Sequence, residues 1–156
     1  MTGGTTFDNH RGVVPLLWVF FALAICELLA VHLFVALKWP WIGWPLTILS
    51  LLSIVWLIGW IRSWARLPHR LEENLVVLNM GSLRQMKVPL NLIERVRATP
   101  PLQELKAMKA RNLVPIAHPN RIIELCEPVG GRRVIAIRLD DPVAFDAAMR
   151  SQGIEA

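Results

Sequence analysis

Two long apolar runs separated by three residues leave this chain very few architectures. Val13 to Leu37 is interrupted only by Glu27 and His32, and Trp41 to Ile61 carries no formal charge. At about 1.5 Å of rise per residue the runs reach roughly 37 and 31 Å, enough to cross a hydrocarbon core of about 30 Å. Only Lys38, Trp39 and Pro40 join them. So short a connection predicts an antiparallel transmembrane hairpin, with both chain ends on one side of the membrane. A cleaved signal peptide is the competing reading of the first run, because Ala22-Leu23-Ala24 fits a small-residue cleavage pattern. The apolar run continues past Ala24 and a second run follows at once, so a retained span is preferred.

Charge sets the orientation. Arg11 precedes the first run, Arg62, Arg66, His69 and Arg70 follow the second, and the turn has Lys38 alone. Cytoplasmic flanks collect Lys and Arg, so both termini are expected in the cytoplasm. Trp39, Trp41 and Trp44 cluster at the turn, while Trp18, Trp60 and Trp64 are expected at the opposite interface. Trp56, Trp60 and Trp64 recur every four positions and share a helix face, which reads as packing rather than ligand stacking. Glu27 and His32 are costly within lipid, at about 2.5–3.5 kcal/mol for a charged side chain at mid-bilayer. Each is therefore expected to face the partner helix or be uncharged. Depth matching sets His32 near Ser50 and Glu27 near Ser53 or Trp56. Five positions apart, the pair is about 140° around an ideal helix and forms no single constellation.

Beyond about Pro68 the pattern changes. Asn74–Leu78, Leu83–Val88, Leu92–Ala98, Asn112–Ala117, Arg121–Cys126 and Arg133–Leu139 read as strands. Pro128-Val129-Gly130-Gly131 reads as a hairpin turn. Leu102–Lys109 is helix-friendly, with Leu102, Leu105 and Met108 on one side. Asp141 followed by Pro142 predicts a capped C-terminal helix, with Phe145, Ala148 and Met149 inward and Gly153 as its stop. The predicted class is α+β: residues 1–12 as an N-terminal cytoplasmic tail, 13–64 as the hairpin (helices about 13–37 and 41–61), and 70–156 as an antiparallel, barrel-like β-domain closed by that helix.

The order of two spans, a basic juxtamembrane turn and a small β-domain resembles the bacterial pleckstrin-homology-like membrane proteins. The resemblance rests on Val88-Pro89 with Ile93 and Val96, on Pro119-Asn120-Arg121-Ile122-Ile123-Glu124-Leu125, and on Arg138-Leu139-Asp140-Asp141-Pro142 with Phe145. It implies a bent, partly open barrel capped by the last helix, and an adaptor role at the bacterial inner membrane. Met80-Gly81-Ser82 carries no basic phosphoinositide motif, so that activity is not implied.

Composition narrows function further. The 156 residues are 54% hydrophobic and 19% charged with a net charge of +5, which fits neither a disordered chain nor an ordinary nucleic-acid binder. Cys26 and Cys126 form no disulfide framework, and His10, His32, His69 and His118 show no metal-ligand spacing. No nucleophile elbow, phosphate loop or dinucleotide fingerprint occurs, and Asp140-Asp141 reads as helix capping rather than paired catalytic carboxylates. The expectation is no enzyme, no cofactor and no metal. Between Arg84 and Arg111 seven cations face only Glu94 and Glu104, whereas the remainder is nearly neutral. Lys106, Lys109 and Arg111 are therefore candidate contacts to anionic lipid. The expected partners are membrane lipid and another membrane or cytoplasmic protein, with a homo-oligomer compatible. The expected function is a membrane-anchored adaptor; the alternatives are a head-group-binding module and a small transporter component acting through Glu27 and His32.

Overall fold

The computed structural model describes residues 4–114 and 116–156. Helix α1 spans Val14–Lys38 and α2 spans Pro40–Arg66, and each is long and apolar enough to cross a membrane. Proline opens both helices, where its missing N–H costs nothing. The connecting residue Trp39 leaves helical geometry and turns the chain back. Within α1, Leu28–His32 forms a single wider π-helical turn. Such a turn shifts the phase of every residue beyond it. At Gly43 a Cβ would meet the backbone of Ala36, so the two helices touch main chain to main chain near their turn. Small residues allow that approach where the surrounding solvent gives no hydrophobic drive.

Eight strands follow the α+β expectation in outline. One sheet has the order β1 (Thr5–Phe7), β2 (His69–Leu71), β3 (Leu75–Met80), β4 (Arg84–Pro89). The other runs β5 (Ile93–Ala98), β7 (Arg121–Val129), β8 (Arg132–Ile137), β6 (Arg111–Asn112). All neighbours are antiparallel except β6, which lies parallel to β8. The β7–β8 turn is Gly130-Gly131, with φ of 59° and 79°. Two successive left-handed residues match the twist of the flanking strands, and glycine adopts them without strain.

Val76, Leu78 and Val88 from the first sheet and Ile123, Ile135 and Ile137 from the second meet in one core. Helix α4 (Pro142–Ser151) covers it with Phe145 and Met149, neither of which is solvent-exposed. The Asp141 carboxylate accepts the Ala144 N–H at 2.9 Å, as the capping signal predicts.

Two expectations are corrected here. Of the strand read over Asn112–Ala117, residue 115 lies outside the described residues, and among the described ones the strand is confined to Arg111–Asn112. The Asn112 side chain accepts the N–H of Val114 at 2.8 Å and turns the chain, so that Leu113 enters the sheet core and Val114 a second one. The segment read as a tail is part of the sheet domain in its described residues. Thr5 pairs with Leu71 and Phe7 with His69, and the Phe7 ring meets Phe145 edge-on at 5.1 Å. Closure of the two sheets into a barrel is not part of the observed pairing, which is two four-stranded sheets.

Candidate functional site

Three groups of side chains carry chemical potential, and the fold separates them. The first lies in the hairpin. His32 is buried, with its Nε2 2.9 Å from the Ser50 hydroxyl, the partner that depth matching predicted. Glu27 behaves differently. It is exposed on the outer face of α1, without a hydrogen-bond partner among the described residues, while Ser53 donates back to the Leu49 carbonyl. Of the two alternatives expected for Glu27, facing α2 or being uncharged, the first is therefore corrected. A single π-helical turn, Leu28–His32, lies between the two residues. Beside His32 a groove of about 460 Å³ opens sideways between the helices, lined by Leu28, Leu33, Ala36 and Trp44 among others.

The second group is the junction between hairpin and sheet domain. Val13, Leu17, Ile61 and Trp64 from the open end of the hairpin share a core with Val114 of the sheet domain. Trp64 is only 1% exposed, which corrects its assignment to an interfacial belt. Trp56 and Trp60 stack at 5.8 Å, and Trp60 and Trp64 meet at 6.3 Å, so the shared face is a packing surface. The β3–β4 turn closes over this core. Gly81 has φ of 52° and lies so near Ser63 that a Cβ would stand 2.6 Å from its hydroxyl. The Ser63 hydroxyl accepts the Ser82 N–H at 2.8 Å.

A buried polar knot secures the same junction. The Asn79 N–H donates to Nδ1 of His69 at 3.0 Å, which leaves the ring proton on Nε2, beside the Arg138 carbonyl. Asn9 lies 3.2 Å from that Nε2 and donates to the Asn79 carbonyl at 3.1 Å. Burial pushes the His69 pKa down to about 4, although the Arg138 carbonyl and Asp140 pull the other way. His69 is thus neutral in the folded protein near pH 7. The Asp140 carboxylate accepts the N–H groups of His10 and Arg11, each at 3.1 Å, and caps the approach to α1. In the sequence His10 and His69 show no metal-ligand spacing, and Asp140 reads with Asp141 as capping of the last helix; in the structure the partners of Asp140 lie about 130 positions away, just before α1.

The third group is basic. Lys106 and Lys109 are exposed, and Arg111 is half-buried with its guanidinium donating to the Gly130 carbonyl at 2.9 Å. Helix α3 (Leu102–Ala107) packs Leu105 on Ile122 and Ala136, while Leu102 is 51% exposed rather than inward. Other cations of the domain are engaged. Arg95 and Arg97 pair with Glu124, and Arg121 with Asp146 at 2.7 Å. Burial tends to raise the Glu124 pKa, but the hydrogen bonds from Arg97 and Arg95 outweigh it and the net displacement is downward.

The described residues contain no group of three or more His, Cys, Asp or Glu able to hold a metal ion. Comparison with protein-family models, with curated proteins and with solved structures finds no match.

Proposed function

We propose that the protein is a membrane-anchored adaptor of the bacterial cytoplasmic membrane, with both termini in the cytoplasm and a pleckstrin-homology-like domain offered to a protein partner. One observation carries the reading: the sheet domain shares a core with the helix ends through Trp64, Ile61, Val13, Leu17 and Val114. A domain on a loose tether samples every orientation. One locked onto its anchor keeps the same surfaces turned toward the aqueous phase, which lowers the orientational cost of binding a partner. The two sheets around one core beneath a C-terminal helix support the pleckstrin-homology-like assignment. Arg11, Arg62, Arg66 and Arg70 at the open end, against Lys38 at the turn, support the orientation.

Exposed Arg62, Arg66 and Arg70 at that same end favour head-group binding as a second reading. Transport through Glu27 and His32 is disfavoured, because Glu27 is exposed while His32 is buried against Ser50. Alkaline extraction together with a reporter fused after Ala156 tests the anchor. The protein should stay in the membrane with its reporter on the cytoplasmic side. Chemical crosslinking in native membranes should then give a discrete adduct that survives Glu27→Gln. Extraction by alkali, or a reporter on the outer side, overturns the proposal.

A further inference from the structure

The cations of the sheet domain divide into two populations. Arg95, Arg97 and Arg121 are consumed by ion pairs within the domain. Most of the others, Arg84, Lys87 and Lys106 among them, have no ion pair among the described residues. Four of these unpaired cations, Lys109, Arg111, Arg132 and Arg133, gather at one place. Arg132 and Arg133 follow the Gly130-Gly131 turn, and Arg111 reaches the carbonyl of Gly130. Lys109 leads into β6, which runs parallel to β8 with Arg111 opposite Ile135. The hairpin carries two carboxylates, of which Glu124 is paired with Arg95 and Arg97, so Glu127 alone stands against the cations of the tip.

Strand direction locates this tip. The far end of β8 leads to Arg138, which donates to the His118 carbonyl at 2.8 Å and whose guanidinium fills the space over Gly12, just before α1. Six residues of β8 at about 3.3 Å each carry the chain roughly 20 Å from the tip to that junction. With β8 within about 60° of the membrane normal, that span exceeds the Debye length of about 8 Å at physiological ionic strength. In that orientation the charges face the aqueous phase and not the leaflet from which the helices emerge. Nucleic acid is a poor fit as well. Bases are gripped by stacking on aromatic rings. Every Trp of this chain lies in α1, in α2 or between them, and the sheet domain's Phe7 and Phe145 are buried. Finally, β6 stands last in its sheet, so no strand of the sheet covers its outer edge.

We propose that the β7–β8 tip and the edge of β6 together dock an extended acidic segment of a partner protein, its carboxylates on Lys109, Arg111, Arg132 and Arg133 and its main chain along Asn112. This rests on the adaptor reading and specifies the chemistry of its partner. Strand addition supplies sequence-tolerant affinity, and the cations supply selection for acidic sequences.

The test uses the full-length protein in phosphatidylcholine nanodiscs and, as probe, a short fluorescein-labelled Glu-Val repeat peptide read by anisotropy. A triple variant, Lys109→Asn with Arg132→Gln and Arg133→Gln, should weaken binding by roughly tenfold or more. Asn suits the left-handed φ of 50° at Lys109, and Arg111 is kept because it supports the turn. The control, Arg62→Gln with Arg66→Gln and Arg70→Gln, removes the same charge at the other end and should change affinity less than about twofold. Equal losses in both variants, no binding of the peptide, or tip-dependent binding of phosphatidylserine vesicles or transfer RNA in its place overturns the proposal. Photocrosslinkers at Arg133 and at Lys87 in native membranes separate the two levels of inference. An adduct from position 87 alone rejects the tip and leaves the adaptor standing, whereas no adduct from either position removes both.

Discussion

The hairpin and the sheet domain expose opposite things. Along α1 and α2 the exposed residues include Leu23, Leu37, Trp41, Leu52 and Val55, each over half accessible, while the buried ones include His32, Gly43 and Ser63 beside Leu17, Ile54, Ile61 and Trp64. In the sheet domain Val76, Leu78, Ile123 and Ile137 are inside and the cations are out. With the hairpin in a membrane, as proposed, one physical rule produces both patterns. An apolar solvent leaves no reason to hide Leu, so helices meet through small and polar groups; water reverses the preference. The junction obeys neither pattern alone, since it buries Trp64 and also the neutral His69, which accepts the Asn79 N–H.

That contrast can be broken most forcefully at the junction itself. Trp64→Ala should cost about 3–5 kcal/mol locally, the range for emptying a buried aromatic site. Because Trp64 belongs to the junction core and not the sheet core, the domain should stay folded but detach. Hydrogen exchange should then rise around Gly81 and Val114 with little change in β7, and faster exchange throughout β7 would show that the two cores are one.

The main-chain contact inside the hairpin comes next. Gly43→Leu forces a side chain into the Ala36 backbone and should separate the helices, at about 1–3 kcal/mol or more. Spin labels at Lys38 and Trp44 should report a widened distribution, and an unchanged distance would deny the contact its role.

The His69 knot makes stability depend on pH. Its folded pKa of about 4 lies below the unfolded 6.5, so between those values the unfolded chain binds the extra proton. Stability is complete above pH 6.5 and falls as pH drops toward 4, by about 1.4 kcal/mol per unit. Denaturant midpoints at pH 7 and pH 5 should differ accordingly, and His69→Gln should flatten the dependence. Glu124 acts on a lower window and more weakly. Its lowered pKa stabilises the fold above the ordinary carboxylate value and is lost as pH falls through the folded one. With Arg95 nearly half exposed, Glu124→Gln should cost no more than about 1 kcal/mol at pH 7 in a thermal melt. The smallest effect belongs to Gly59→Leu. Nothing lies within 4 Å of the added Cβ, so the change should stay within about 0.5 kcal/mol and mark the outward face of α2.

Much of the architecture was legible because its signals are local. The hairpin follows from run length and a three-residue gap, the β7–β8 turn from Gly130-Gly131, and α4 from Asp141-Pro142 with the Phe145 and Met149 face. Ser50 as the partner of His32 was legible too, since depth in a tight hairpin is simple counting. Strands β1 and β2 were not legible. Three residues each carry too little pattern, and Thr5 finds Leu71 only in three dimensions.

Taken alone, the amino-acid order determined which segments are apolar rods, where chains turn and how the last helix is capped, because each depends on neighbours within a few residues. Tertiary structure decided the rest. Packing of α1 on α2 buried His32 against Ser50 and left Glu27 exposed, long-range packing took Trp64 from an expected belt into a core, and pairing consumed Arg95, Arg97 and Arg121 while leaving the β7–β8 tip free. Those outcomes depend on which distant groups meet, and neither hydropathy nor charge along a chain encodes that.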